Sequence, residues 1–150
     1  MNNSALQGVF QGFDIAGAGL RAEMLRSEVV AANIANMNVT GGKGKEPYRR
    51  RTVVFEEALT QAQNELGGTR SLAGGVKVAR VHEDTKTPFD TRHEPSNPLA
   101  DEHGFILTSN VNLFHELVDV ASIERSFQAN LAALRAYRGM VQDAIANMRT

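Results

Sequence analysis

Apolar residues return at alternating intervals of four and three along the last third of the chain. The seam runs through Leu113, Leu117, Val120, Phe127, Leu131, Leu134, Val141, Ile145 and Met148, and only Glu124 and Arg138 interrupt it. A heptad-like period sustained this far predicts one long helix with a sticky stripe. At 1.5 Å per residue that helix is roughly 50 Å long, whereas a compact chain of this length is about 40 Å across by radius-of-gyration scaling. One end is therefore expected to project, and its seam to need a partner.

The N-terminal segment follows the same logic on two faces. Ile15, Ala18, Ala22, Leu25, Val29 and Ala32 form one stripe; Phe13, Leu20, Met24, Ala31 and Ile34 form a second, roughly opposite, with Gly17 and Ser27 in its gaps. Two apolar stripes on one helix predict contacts on two sides. Asp14 is expected in the first turn or as the cap, and the helix is expected to end near Asn36, where Asn38 and Thr40-Gly41-Gly42 supply stop signals.

Between the helices, residues 39–112 hold all four prolines and most of the glycines. Thr52 to Phe55, Val76 to Val81 and Ile106 to Thr108 read as strands, a short helical turn is expected over Glu56 to Glu65, and Pro95 to Pro98 reads as extended or turning. Asn110 or Asn112 is the expected cap of the long helix. The predicted fold class is therefore α+β: two long terminal helices, 1–38 and 113–150, form a discontinuous coiled-coil-like helical domain, and a small loop-rich β module, 39–112, is inserted between them.

Composition narrows the function. Sixteen basic against seventeen acidic residues give a formal charge of -1, so no overall field selects nucleic acid or acidic lipid. There is no cysteine, hence no disulfide and no thiol chemistry. The first residues lack the charged and apolar regions of a cleaved signal peptide, so any export is expected to proceed without one. Each histidine has an acidic neighbour (His82-Glu83-Asp84, His93-Glu94, Asp101-Glu102-His103, His115-Glu116), but none stands at the i, i+4 spacing that puts two ligands on one helix face. These read as solvated polar surface. No serine sits in a Gly-x-Ser-x-Gly elbow, and Gly41-Gly42-Lys43-Gly44-Lys45 lacks the P-loop spacing. Arg49-Arg50-Arg51 reads as solvated charge or as a contact for an acidic patch on a neighbouring subunit. The expectation is a protein without enzymatic activity, cofactor, metal or small-molecule substrate.

Val30-Ala31-Ala32-Asn33-Ile34-Ala35-Asn36-Met37-Asn38 resembles the Asn-x-Ala-Asn signature near the start of flagellar axial proteins, and Ala121-Ser122-Ile123-Glu124-Arg125-Ser126-Phe127-Gln128-Ala129-Asn130 resembles their C-terminal element. Glu46 to Arg50, Gly75 to Val78 and Asn97 to Phe105 are most similar to the small proximal-rod members of that rod and hook family. The resemblance implies a subunit of the basal-body rod, its terminal helices packed around the axial channel and its β domain outside, standing in the periplasm after export through the flagellar type III apparatus. It further implies as partners copies of the chain itself, other rod proteins, the rod-to-ring adaptor and the inner-membrane ring protein. The residues expected to pack between subunits are Phe13, Leu20, Met24, Leu25, Val29, Asn33, Ile34, Asn36, Leu117, Val120, Phe127, Asn130, Leu131, Leu134, Val141 and Ile145. Among them the carboxamides Asn33, Asn36 and Asn130 interrupt apolar helix faces; they read either as exposed residues and caps, or as hydrogen bonds between packed helices that fix register. Within this family the alternative is another small rod subunit; outside it, the alternative is a non-flagellar helical adaptor that binds one partner by helix insertion.

Overall fold

The computed structural model describes the backbone of residues 3–41, 46–63 and 69–147, and the side chains of 11–41, 46–58 and 74–147. Two long helices enclose four strands in the order α1 (Asn3–Asn36), β1 (Arg51–Gln63), β2 (Thr69–Glu83), β3 (Asp90–His93), β4 (Phe105–Thr108) and α2 (Leu113–Asn147). This is the expected α+β architecture.

Helix α1 starts well before Phe13, so Asp14 lies exposed inside it rather than capping it. It stops where expected: Asn36 turns its side-chain amide onto the Ala32 carbonyl at 2.8 Å, and Val39 N–H reaches back to the Asn36 carbonyl at 3.1 Å. Helix α2 is capped by Asn112, whose Oδ1 accepts from the N–H groups of Phe114 (2.9 Å) and His115 (3.3 Å), satisfying two of the orphan donors of a helix start. Asn110 instead ties Arg50 N–H to the carbonyls of Asp84 and Thr87. Met148, the last position of the predicted seam, lies outside the described residues, as does most of the Gly41 to Lys45 loop.

Strands β1 and β2 form one two-stranded sheet, β3 and β4 another. The helical turn expected over Glu56 to Glu65 is absent where that stretch is described: it is strand through Gln63. The helix formers there are overridden by pairing with β2, a tertiary effect that local propensity does not contain; Lys77 Nζ and Glu56 Oε1 of the two strands meet at 3.0 Å. β3 was not expected; all four of its residues are exposed, so it lacks the half-buried alternation that marks a strand in a sequence. It pairs antiparallel with β4, from Asp90 opposite Thr108 to His93 opposite Phe105. β4 alternates cleanly, Ile106 and Thr108 buried, Phe105 and Leu107 exposed, and Thr40 bridges to Thr108. The segment from Glu94 to Ala100 turns twice, Asn97 N–H donating to the Glu94 carbonyl and Ala100 N–H to that of Asn97.

The chain divides into two compact units, each built from parts of both helices and of the strands. Unit 1 holds residues 1–25, 55–79 and 123–150; unit 2 holds 26–54 and 80–122. In unit 1 the helices run antiparallel and touch through glycine. A Cβ on Gly12 would overlap the Tyr137 ring, and one on Gly19 would stand 2.9 Å from the Asn130 carboxamide. Phe13 packs against the same tyrosine, ring centroids 5.8 Å apart. Strand β2 crosses α1 at Gly75, whose φ of 102° and whose 3.2 Å approach of a would-be Cβ to the Ile15 Cα both demand glycine.

Candidate functional site

The helix faces that the chain buries on itself differ from those the spacing picks out. On α1 the buried side is Gly12, Ala16, Gly19, Ala22, Val30 and Asn33, which runs between the two predicted stripes and shares only Ala22 with the first of them. Phe13, Leu20, Leu25, Val29 and Ile34 flank it half-buried, and Met24 is exposed. On α2 the inward positions are Glu116, Ile123, Asn130 and Tyr137, with Leu131, Leu134 and Val141 half-buried beside them. The four-three seam itself stays largely outside. Leu117 is 51% exposed, and Val120, Phe127 and Ile145 are exposed with it. Next to them stand Phe114 at 76% and Val118 at 66%. Surface apolar residues are ordinary singly, but a run of them along one helix marks an interaction face.

A regular spacing does identify the inward side. Gly12, Gly19, Arg26 and Asn33 follow one another at intervals of seven, as do Glu116, Ile123, Asn130 and Tyr137. The apolar pattern missed them because only one of these eight is aliphatic. Small residues permit close approach and polar residues meet specific partners, so neither registers as hydrophobic periodicity.

In unit 2 this inward side is a polar network. Asn33 is fully buried, and its carboxamide makes four hydrogen bonds. Nδ2 donates to the Arg51 carbonyl (2.8 Å) and to Glu116 Oε2 (3.0 Å); Oδ1 accepts from Arg51 N–H and from the Tyr48 hydroxyl, both at 2.9 Å. Glu116 is buried just as completely, its other oxygen taking Arg50 Nε at 2.6 Å. Arg50 also reaches Asp119 Oδ2 at 2.9 Å, and Arg26 holds Asp119 Oδ1 at 2.7 Å. Asn110 accepts from Arg50 N–H at 2.7 Å and donates to the carbonyls of Asp84 and Thr87. A buried charge is tolerated only when paired and hydrogen-bonded, and this set is both. Burial pushes the Tyr48 phenol above its ordinary value of 10.0, with Glu116 and Glu83 adding to the rise and Arg51 opposing it.

The basic cluster is therefore engaged at home. Arg50 binds Glu116 and Asp119, Arg51 binds Glu83 at 2.8 Å, and Arg49 meets Glu46 at 3.2 Å and lies 4.0 Å over the Phe89 ring. Of the three asparagines, Asn33 bonds across to the second helix, Asn130 sits over Gly19, and Asn36 serves its own helix end. Glu124 accepts from Gln128 of its own helix at 3.2 Å. A cavity of about 540 Å³ is an open hollow in unit 2 between Arg50, Asp84, Phe89, Asn110 and His115. Asp84 there is already used: hydrogen bonds from Thr87, side chain first, hold its carboxyl below the usual range. Among the described residues no group of three or more histidines and carboxylates is placed to hold a metal, and no helix is long and apolar enough to cross a membrane.

Long helices that leave an apolar seam exposed fit a structural protein that packs against partners, and comparison with known proteins gives that class its identity. Residues 13–43 match the family described as flagella basal body rod protein, and residues 102–148 match the C-terminal family of the flagellar basal body rod FlgEFG proteins. Over 129 residues, 86% of this chain and 90% of the relative, it is 39% identical to the flagellar basal-body rod protein FlgC of Salmonella typhimurium. It is 32% identical over 144 residues to FlgC of Bacillus subtilis, covering 91% of this chain and 95% of that one. The chain belongs to the FlgC family of flagellar basal-body rod proteins.

Proposed function

We propose that the chain is a structural subunit of the proximal rod that polymerises by helix packing, with α1 and α2 in the core and the strand module outside. In that place it transmits torque from the inner-membrane ring towards the distal rod and hook, and its neighbours are copies of itself, other rod proteins, the rod-to-ring adaptor and the ring protein. It reaches the periplasm through the type III apparatus, and it catalyses no reaction.

The observation that carries this reading is the exposed seam of α2. A helix that buries Glu116, Ile123, Asn130 and Tyr137 on its own chain and leaves Leu117, Val120, Phe127 and Ile145 in water has a second face to cover. At about 25 cal/mol per Å², covering such a face offsets the entropy cost of ordering a subunit in a lattice. Glu124 and Arg138 interrupt that face and are the positions where a neighbour's charge is read. An open helical assembly needs two different complementary surfaces, and the flanking stripes of α1, with Met24 and Ile15 exposed, supply the other.

Complementation of a strain lacking this gene tests it. Phe127→Glu should give a stable, exported protein that restores no motility and no rod, while Thr91→Glu on the exposed strand β3 should swim normally. Full motility with Phe127→Glu would sink the proposal.

A further inference from the structure

The polar network of unit 2 draws its members from three separate stretches. Arg26 and Asn33 come from the end of α1, Tyr48, Arg50 and Arg51 from the approach to β1, and Glu116 and Asp119 from the start of α2. Two arginines, Arg26 and Arg50, face two carboxylates, Glu116 and Asp119, across those stretches. We propose that this network is a lock that makes helix pairing and strand docking in unit 2 a single all-or-none event: neither forms a stable partial structure without the other.

The chemistry follows from what each half would leave behind. If residues 48–51 withdrew from a preformed helix pair, Glu116 would lose Arg50 and stand three positions from Asp119 on one helix face. Asn33 would lose three of its four partners, keeping Glu116 alone. If instead α2 failed to pair, Arg50 would lose both its carboxylates, and Asn33 would lose the acceptor for one of its amide hydrogens. The grip on the strand is chemically selective. Asn33 answers both the N–H and the carbonyl of Arg51, as a neighbouring strand would, so its carboxamide replaces a β-ladder partner at the first residue of β1. Only a side chain with a donor and an acceptor on one carbon can do this at that reach; aspartate would present a second carboxylate to Glu116. Asp84 N–H donates to the Arg50 carbonyl at 2.8 Å, which carries the lock from the residue before β1 to the residue after β2.

This proposal concerns the single subunit and stands independently of the assembly reading. It is tested by residue-resolved amide hydrogen exchange on the full chain. The strand reporters are the Arg51 and Asp84 amides, the helix reporters are the amides of Val30 and of Asp119, and Gly19 and Asn130 of unit 1 serve as reference. Arg50→Met strands the buried Glu116 charge and should accelerate strand and helix reporters together, by about a hundredfold. Arg50→Met with Glu116→Gln removes that charge while keeping an oxygen for Asn33, and should recover most of the loss. Tyr48→Phe, which deletes one hydrogen bond and no charge, should accelerate both sets equally, by about five- to tenfold. Acceleration of the strand reporters alone in Tyr48→Phe or Arg50→Met would overturn the lock, and so would failure of Glu116→Gln to rescue.

Discussion

Asn33 shows what one side chain contributes when its whole hydrogen-bonding capacity is used inside the protein. Removing one partner of a buried pair costs the desolvation of the group left behind, about 1–3 kcal/mol, more when that group is charged. Asn33→Leu is accordingly expected to lower stability by about 3 kcal/mol or more, measured by urea unfolding, whereas Asn36→Leu, which gives up one exposed bond within its own helix, should change it by less than about 1 kcal/mol. Equal losses would contradict the assignment. Tyr48 offers a pH readout of the same site. Its hydroxyl donates to Asn33, and its pKa is raised by burial above 10.0. The neutral phenol's contribution to stability is thus whole below the unfolded value and disappears as pH climbs through the raised folded value. In a Tyr137→Phe background, where Tyr48 is the only tyrosine, near-UV titration should show it ionising later than 10.0 in the folded chain; ionisation at or below that value would speak against its burial. The sequence marked Asn33 as an asparagine on an otherwise apolar helix face. It could not supply Arg51 or Glu116 as partners, because they lie 18 and 83 positions away and nothing local points from the asparagine to either.

At the scale of the helix, two kinds of seam coexist. The apolar four-three pattern was legible, and so were the helix it predicts, its cap region and the end of α1 at Asn36. What the pattern could not convey was which face the chain covers by itself. The intramolecular face is written in glycine, asparagine, glutamate and tyrosine, and its signal is an interval of seven without hydrophobicity. Gly19 tests that side directly. Alanine there places a methyl where the Asn130 carboxamide stands at 2.9 Å, so Gly19→Ala should cost about 1–3 kcal/mol by overpacking despite alanine's better helix propensity. At Gly17, where the nearest group is the flexible end of Arg21 at 3.6 Å, alanine should be neutral or stabilising. Thermal unfolding of the two variants distinguishes them. The strand module was less legible. Three strands were found by β-branched residues and turn boundaries, but the β1 extension lies in a stretch of helix formers, and β3 is exposed throughout, so each owes its conformation to its neighbour.

For the molecule as a whole, the decisive feature is the division of labour between the two faces of α2. One face closes the subunit; the other leaves Leu117, Val120, Phe127 and Ile145 exposed, and on our proposal it closes the assembly. Family membership says that the chain is a rod protein; that it joins the rod through this face is our proposal. The chain has no cysteine, so a single introduced thiol reports on one place only. The direct measurement is maleimide labelling of Leu117→Cys, compared between purified subunit and isolated basal bodies, with Thr91→Cys on the exposed strand as control. The account predicts rapid labelling of Cys at 117 in the free subunit and protection by at least about tenfold in the rod, while position 91 labels similarly in both. Equal labelling at 117 in subunit and rod would contradict it.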